Sequence, residues 1–453
     1  MEQDLTTGSV FKRIVYFSLP YLLSYFLQTL YGMADLFITG QFYGVDTITA
    51  VSNGSQIMHM MTVIIVGLAM GTTVTIGHSV GAKCMEQAEK IIGNTITLFM
   101  GIAVAFTVIL VVLVKPIVVL IATPQEAVAG TSIYLLICFI GIPFITAYNI
   151  ISSIFRGLGD SKSPMYFIGI ACVMNIALDY LFMCAFHMGA AGAALGTGCA
   201  QTFSVLVALW VIRRRKTGIS LKKSDFKIER AVIGQVLKIG IPVALQDGFI
   251  QVAFMIITVI ANSRGVSDAA AVGVVEKVIS ALFIVPSSML ATVSALSAQN
   301  LGAGKEKRAT DTLRYATVIT TIYGVIVAVL IQFIAENVVG IFTSDTTVVT
   351  MGSAYIRSYI WDCIFAGIHF SFSGYFAACG KSYIGFLHNY ICACSGFVSG
   401  IEIFYRYAVS NGTCGTGGVT GIRGNLCDCI YIVKEKKPCG TDSMNQDGKS
   451  FNR

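Results

Sequence analysis

Two carboxylates sit where water is scarce. Asp35 lies in the run LeuTyrGlyMetAlaAspLeuPheIleThr and Asp179 in MetAsnIleAlaLeuAspTyrLeuPhe. A charge at the centre of a bilayer costs at least ~2.5–3.5 kcal/mol on insertion scales, so an acid persists there only with partners or a function. The spacing supplies partners: Tyr31 precedes Asp35 by four residues and Asn175 precedes Asp179 by four, which puts each pair on one helix face. Thr197 follows a run of small residues, Gly189 to Gly196, that permits close helix approach. No Lys or Arg occurs between Arg13 and Lys83 or between Lys162 and Arg213. An oxygen-rich cluster of this kind suits a bound Na+ or a captured proton. The competing reading is a helix clamp, with each acid hydrogen-bonded to neighbouring backbone.

The second half of the chain is chemically unequal to the first. At an offset of 222 residues the Asp35 position is Ile257. The polar groups embedded there are Gln246, Asp247 and Gln251 in one apolar run, Glu276 with Lys277 in the next, and Arg357 with Asp362 later. Gln246, Gln251 and Asp362 are candidates for lining a substrate cavity. Asp362 could equally pair with Arg357, and Glu276 and Lys277 could lie at a membrane interface.

The elements that hold these residues are membrane spans. Charged residues are 12% of the 453, against ~25% in a soluble domain, while 55% are hydrophobic. That composition excludes a soluble or disordered protein. Apolar runs long enough to span occur at about 14–40, 48–80, 92–122, 131–155, 164–187, 190–212, 234–262, 270–298, 312–342 and 353–379, and two weaker ones near 383–408 and 414–433. Lys and Arg concentrate in alternate loops, around 83–90, 156–162, 213–227 and 305–314, whereas loops near 41–47, 122–130, 186–190 and 336–352 have none. The positive-inside rule then puts the basic loops and the N-terminus in the cytoplasm. The net charge of +7 is accounted for by this pattern, which leaves no case for nucleic acid.

The chain also repeats itself. Ser18-Leu19-Pro20 recurs as Gly240-Ile241-Pro242, Val80-Gly81-Ala82-Lys83 as Leu301-Gly302-Ala303-Gly304, and Phe155 to Gly159 as Phe376 to Gly380, at offsets of 222, 221 and 221. Six spans per copy give both copies the same orientation: two parallel six-helix repeats in an all-α, twelve-helix polytopic membrane protein. The divisions are an N-terminal lobe at 1–212, a basic cytoplasmic linker at 213–233, the first four helices of a C-terminal lobe at 234–389, and a divergent tail at 390–453. Enzyme motifs fail. Gly374 to Ser382 is one residue too long for a phosphate-binding loop, and no HExxH or CxxC pair is present, so neither a catalytic group nor a metal site is expected.

Pro20 placed fifteen residues before Asp35, AsnIleAlaLeuAsp at 175–179, PheArgGlyLeuGlyAspSerLysSerPro at 155–164 and AlaGlnAsnLeuGlyAlaGlyLysGluLysArgAla at 298–309 occur in this order. Together they resemble the multidrug and toxic compound extrusion family, in particular its bacterial DinF-like members, over about residues 8–389. The resemblance implies an antiporter of the bacterial inner membrane, monomeric, exporting small amphipathic or cationic organic compounds in exchange for Na+ or H+, with no cofactor beyond the coupling ion. It implies a cation site of Asp35, Asn175, Asp179 and Thr197 with Tyr31 nearby, and a bending point at Pro20. Beyond Asn389 the likeness stops. Residues 390–453 hold six of the thirteen cysteines, and Arg406, Arg423 and Asp428 fall inside the would-be last spans. A lipid-linked precursor flippase, a membrane enzyme and an inactive protein with a disrupted C-terminal lobe are the rival readings.

Overall fold

A computed structural model describes residues 4–121, 123–214, 221–343 and 345–388. The tail at 390–453 lies outside them, with the weaker run near 414–433 and all but the start of the one near 383–408. In lipid every backbone N–H and C=O must be satisfied within its own segment, so apolar runs of this length become helices. They are α1 (Val10–Phe42), α2 (Val45–Gly81), α3 (Met85–Leu120), α4 (Gln125–Ile140), α5 (Ile142–Gly157), α6 (Lys162–Asp179), α7 (Gly189–Arg214), α8 (Arg230–Arg264), α9 (Val266–Leu282), α10 (Ile284–Gly302), α11 (Glu306–Gly340), α12 (Thr346–Tyr359) and α13 (Asp362–Ala378). All belong to one compact unit ending at Gly385. By length and composition seven continuous helices could cross a membrane, or eight counting α4 and α5 as one span bent by 50°. Pro143 opens the second limb of that bend, where its missing N–H has no helical acceptor to lose. The ten clear apolar runs are all helical.

The repeat is visible in the element boundaries. Val45–Gly81 returns 221 residues later as α9 and α10, from Val266 to Gly302; Gln125 and Gly157, which bound α4 and α5, return as Thr346 and Ala378. Even the backbone turn after the helix repeats, since Lys83 and Gly304 both take left-handed conformations, with φ of 59° and 70°.

The lobes are joined at one end only. Each has its own core away from the basic loops: Ile38, Val51, Leu135 and Phe139 in the first, Val275, Ile331, Val339 and Ile356 in the second. A shared core lies nearer the basic loops, where Tyr21, Met70 and Val74 pack with Ile239, Val243, Leu290 and Ala298. Small residues allow this approach, as between helices in lipid generally. Gly67 and Gly71 of α2 face Ala244 and Val236 of α8, so closely that an added Cβ would overlap them. Gly81 and Gly302, 221 apart, meet the carbonyls of Gln299 and His78, which are also 221 apart. The same two side chains bind across the joint: Gln299 Nε2 donates to the Gly157 carbonyl at 2.9 Å, and His78 Nε2 meets the Ala378 carbonyl at 2.7 Å. No substantial contact joins α4 or α7 to the second lobe, or α9 or α12 to the first. A cleft therefore opens between the lobes on the side away from the basic loops.

Two short segments cross over at the joined end. Residues 4–9 leave Leu5 buried beside Met289, Val293 and Leu296, while Lys305 Nζ donates to the Thr6 carbonyl at 2.9 Å and Arg308 to those of Gly8 and Thr7 at 2.7 and 2.9 Å. The second is part of the linker. Ahead of α8, Asn94 of α3 donates to the Asp225 carbonyl at 3.1 Å and accepts from the Glu229 N–H at 2.6 Å. Each lobe is thus strapped by the segment that opens the other.

Candidate cation site

Three helices of the first lobe bring the sequence candidates together. Asp35 comes from α1, Asn175 and Asp179 from the last turn of α6, and Thr197 from the third turn of α7; Asp35, Asn175 and Asp179 are 4%, 2% and 0% exposed. Thr197 Oγ1 donates to Asp35 Oδ2 at 3.2 Å, and Asn175 Nδ2 lies 3.5 Å from Thr197 Oγ1. The Asp179 carboxyl adjoins that of Asp35. Its seat is the bare backbone of Gly196, where a Cβ would overlap Asp179 Oδ1. Immediately after Asp179 the helix widens into a π-turn, Tyr180–Ala185, a distortion frequent at functional positions.

Oxygen is in surplus here. Asp35 Oδ1, Asn175 Oδ1 and both Asp179 oxygens are buried without a hydrogen-bond donor among the described residues. The groups that act on the two acids are other acids, Asn175, Thr197 and Cys184, with no Lys, Arg or His. The helix-clamp alternative does not describe this site, because backbone N–H groups do not reach those oxygens. Two negative charges ~4 Å apart repel by roughly 4 kcal/mol at an effective dielectric of 20. A small cation, whether Na+ or a proton, meets both needs at once.

Tyr31 stands one step out. Half-buried on α1, it reaches the side chains of Gln28 and Gln201 rather than the acids. Gln201 is the residue that sequence reasoning missed: it is buried on α7, and its Oε1 is without a donor among the described residues. Its signal was available, since it follows Thr197 by four residues on the same face. Pro20 lies buried within α1, which continues through it.

The second-lobe candidates do not assemble. Gln246 is fully buried and accepts from Ser373 Oγ at 2.9 Å, tying α8 to α13. It packs inside its lobe, which corrects its expected place on the cavity wall: its face of α8 is the one turned to α13. Gln251 is half-buried further along α8, and Asp362 is exposed in the first turn of α13. Arg357 pairs with Glu336 at 3.1 Å, not with Asp362.

Comparison with known proteins bears on the family and the fold. The MatE family model matches residues 20–181 and 242–401, one stretch in each repeat. "Probable multidrug resistance protein YpnP" of Bacillus subtilis (strain 168) is 30% identical over 378 residues, covering 83% of this chain and 84% of its own. "Multidrug export protein MepA" of Staphylococcus aureus (strain MSSA476) is 24% identical over 374 residues, 82% of each. Among solved structures, a MOP superfamily transporter from Pyrococcus furiosus superposes with a TM-score of 0.84 at 21% identity, covering 94% of this chain and 95% of that one. An outward-facing multidrug resistance MATE family transporter gives 0.82 at 22% identity, with the same coverage.

Proposed function

The chain belongs to the MatE family of membrane transporters, and from that premise we propose that it is a secondary antiporter exporting amphipathic or cationic organic compounds in exchange for Na+ or H+. It is a transporter and not an enzyme. The observation that carries the reading is the paired Asp35 and Asp179, buried with unmatched oxygens and no basic neighbour. A site of that kind takes up one small cation and is costly to leave empty. Coupling follows if cation and substrate favour different lobe arrangements, because only differential affinity shifts a conformational equilibrium. Lobes joined at one end and splayed at the other can rock about the joint. We place the basic loops and the N-terminus in the cytoplasm of a bacterial cell and the protein, as a monomer, in the inner membrane. On this assignment the cleft opens outward.

The test is transport of a fluorescent organic cation by proteoliposomes under separately imposed Na+ and pH gradients. Asp179→Asn keeps the shape and removes the charge; it should abolish gradient-driven export without preventing insertion. A double variant, Asp35→Asn with Asp179→Asn, that still concentrates substrate at the parent's rate overturns the reading.

A further inference from the structure

The cleft has a chemistry of its own, apart from the acid pair. On α2 the residues Ser52, Gln56 and His59 recur at helical spacing, and Ser52, Gln56 and His59 carry solvent-accessible side chains. α2 is the central helix of the first lobe, flanked by α1, α3, α4, α5 and α7, so a polar stripe along it faces the cleft rather than lipid. The 221-residue repeat places Gly273, Lys277 and Ser280 of α9 at the equivalent positions, and Lys277 and Ser280 are exposed. Gly273 has open space where a Cβ would stand. The 221-residue repeat relates α2 to α9 across the joint, so equivalent stripes face each other over the cleft, and the Lys277 charge is near enough to act on His59.

Lys277 stands eleven residues past the start of α9, about 16 Å along its axis. It makes no hydrogen bond or ion pair among the described residues. Glu276 beside it lies within reach of its charge, but the Glu276 carboxylate is engaged by Thr258 Oγ1 at 3.0 Å, inside the second lobe. Of the other acids, Asp247 lies deeper, beside Tyr25 of α1, and Asp35 and Asp179 are buried within the first lobe. An ammonium on a spanning helix, exposed beside the cleft and without a hydrogen bond or ion pair among the described residues, is placed to take a ligand.

We infer that Lys277, with the His59 imidazole across the cleft, binds the anionic group, carboxylate or phosphate, of an amphipathic substrate. The ammonium supplies the charge and up to three donors, the imidazole one N–H, and the Ser52, Gln56 and Ser280 side chains a polar surround. This inference rests on the exporter reading and narrows its substrates to amphiphiles bearing an acid, zwitterions included.

Pyrenebutyrate and a pyrenylbutyl-trimethylammonium of equal length are the probes. Their binding to the purified full chain in phosphatidylcholine nanodiscs is followed by energy transfer from the protein's two tryptophans. Pyrenebutyrate should bind saturably, Lys277→Gln should weaken it roughly tenfold to hundredfold, as loss of a charge-assisted bond does, and Lys277→Arg should retain it. The trimethylammonium probe should bind Lys277→Gln no more weakly than the parent. Competition by phosphatidylglycerol added to the nanodiscs would assign the anion to a lipid headgroup, and its absence to a free amphiphile. Equal pyrenebutyrate affinity in parent and Lys277→Gln, or equal loss of both probes, overturns the inference. Binding here needs no ion gradient, so failure of the antiport reading in the acid variants leaves this result standing or falling by itself.

Discussion

At the scale of single residues, the acid pair depends on a residue with no side chain. Alanine ordinarily stabilises a helix by ~1 kcal/mol over glycine, but at Gly196 the new methyl would occupy the place of Asp179 Oδ1. Gly196→Ala should therefore displace the Asp179 carboxyl and remove coupling at a net stability cost of no more than about 1–3 kcal/mol, as overpacking does; Na+ and proton binding by calorimetry, set beside the melting midpoint, checks both halves. Thr197→Ala removes one neutral hydroxyl from Asp35. Loss of a single hydrogen bond of about 1 kcal/mol corresponds to about fivefold weaker cation binding, far milder than either acid variant. The acids were legible in the sequence because an unexplained charge in an apolar run stands out. Gln201 was not, because an amide in a helix is common and only its burial beside Tyr31 separates it from its kind. Gln246 misled for the converse reason: position along α8 was readable, the face it turns to α13 was not.

At the scale of elements, the joint is a pseudo-twofold arrangement in which each lobe offers one side chain to the end of a helix in the other. Removing Gln299 leaves the buried Gly157 carbonyl without its donor, at a cost of about 1–3 kcal/mol. Gln299→Ala should part the lobes at the basic end, read as a longer distance between spin labels on the loops after α2 and α10. His78→Gln installs the donor found in the other repeat and should change that distance little. The repeat itself was fully legible, since the offset of 221 shared by two of three short motifs, the third giving 222, also relates the boundaries of α2, α4 and α5 to those of α9, α10, α12 and α13. The breaks at Gly141 and between Leu282 and Ile284 were not, because continuous hydropathy masks a change of direction.

For the whole molecule, the alternation of basic loops predicts sidedness: a single cysteine at Ser220 should be labelled only from the cytoplasm and one at Thr346 only from outside. Labelling of both from one side removes the two-repeat topology. The straps were invisible to hydropathy, being short, polar and docked by backbone carbonyls. Arg308→Ala removes donors to Gly8 and Thr7, and a cysteine at Thr7 should then react several-fold faster with a cytoplasmic thiol reagent. Acid should loosen the same strap, read as faster cleavage within residues 4–9 by an acid protease. The Thr6 hydroxyl holds the Asp4 carboxyl below its usual range, so its contribution is present at neutral pH and disappears as the pH falls through that lowered value, below about pH 4.

The crossed straps also bear on how the protein is made. Leu5, Ile14 and Phe17 leave the ribosome well ahead of Met289, Val293, Leu296 and Ala316, on which they pack. At roughly 5–20 residues per second those partners emerge about 15–60 s later. During that interval α1 sits in the bilayer with its inner flank against lipid or an insertion factor, and the first lobe, though it already holds both acids, lacks the contacts that fix α1 at the basic end. A ribosome stalled before residue 289 should therefore display the N-terminal segment open to protease, and release past residue 316 should close it.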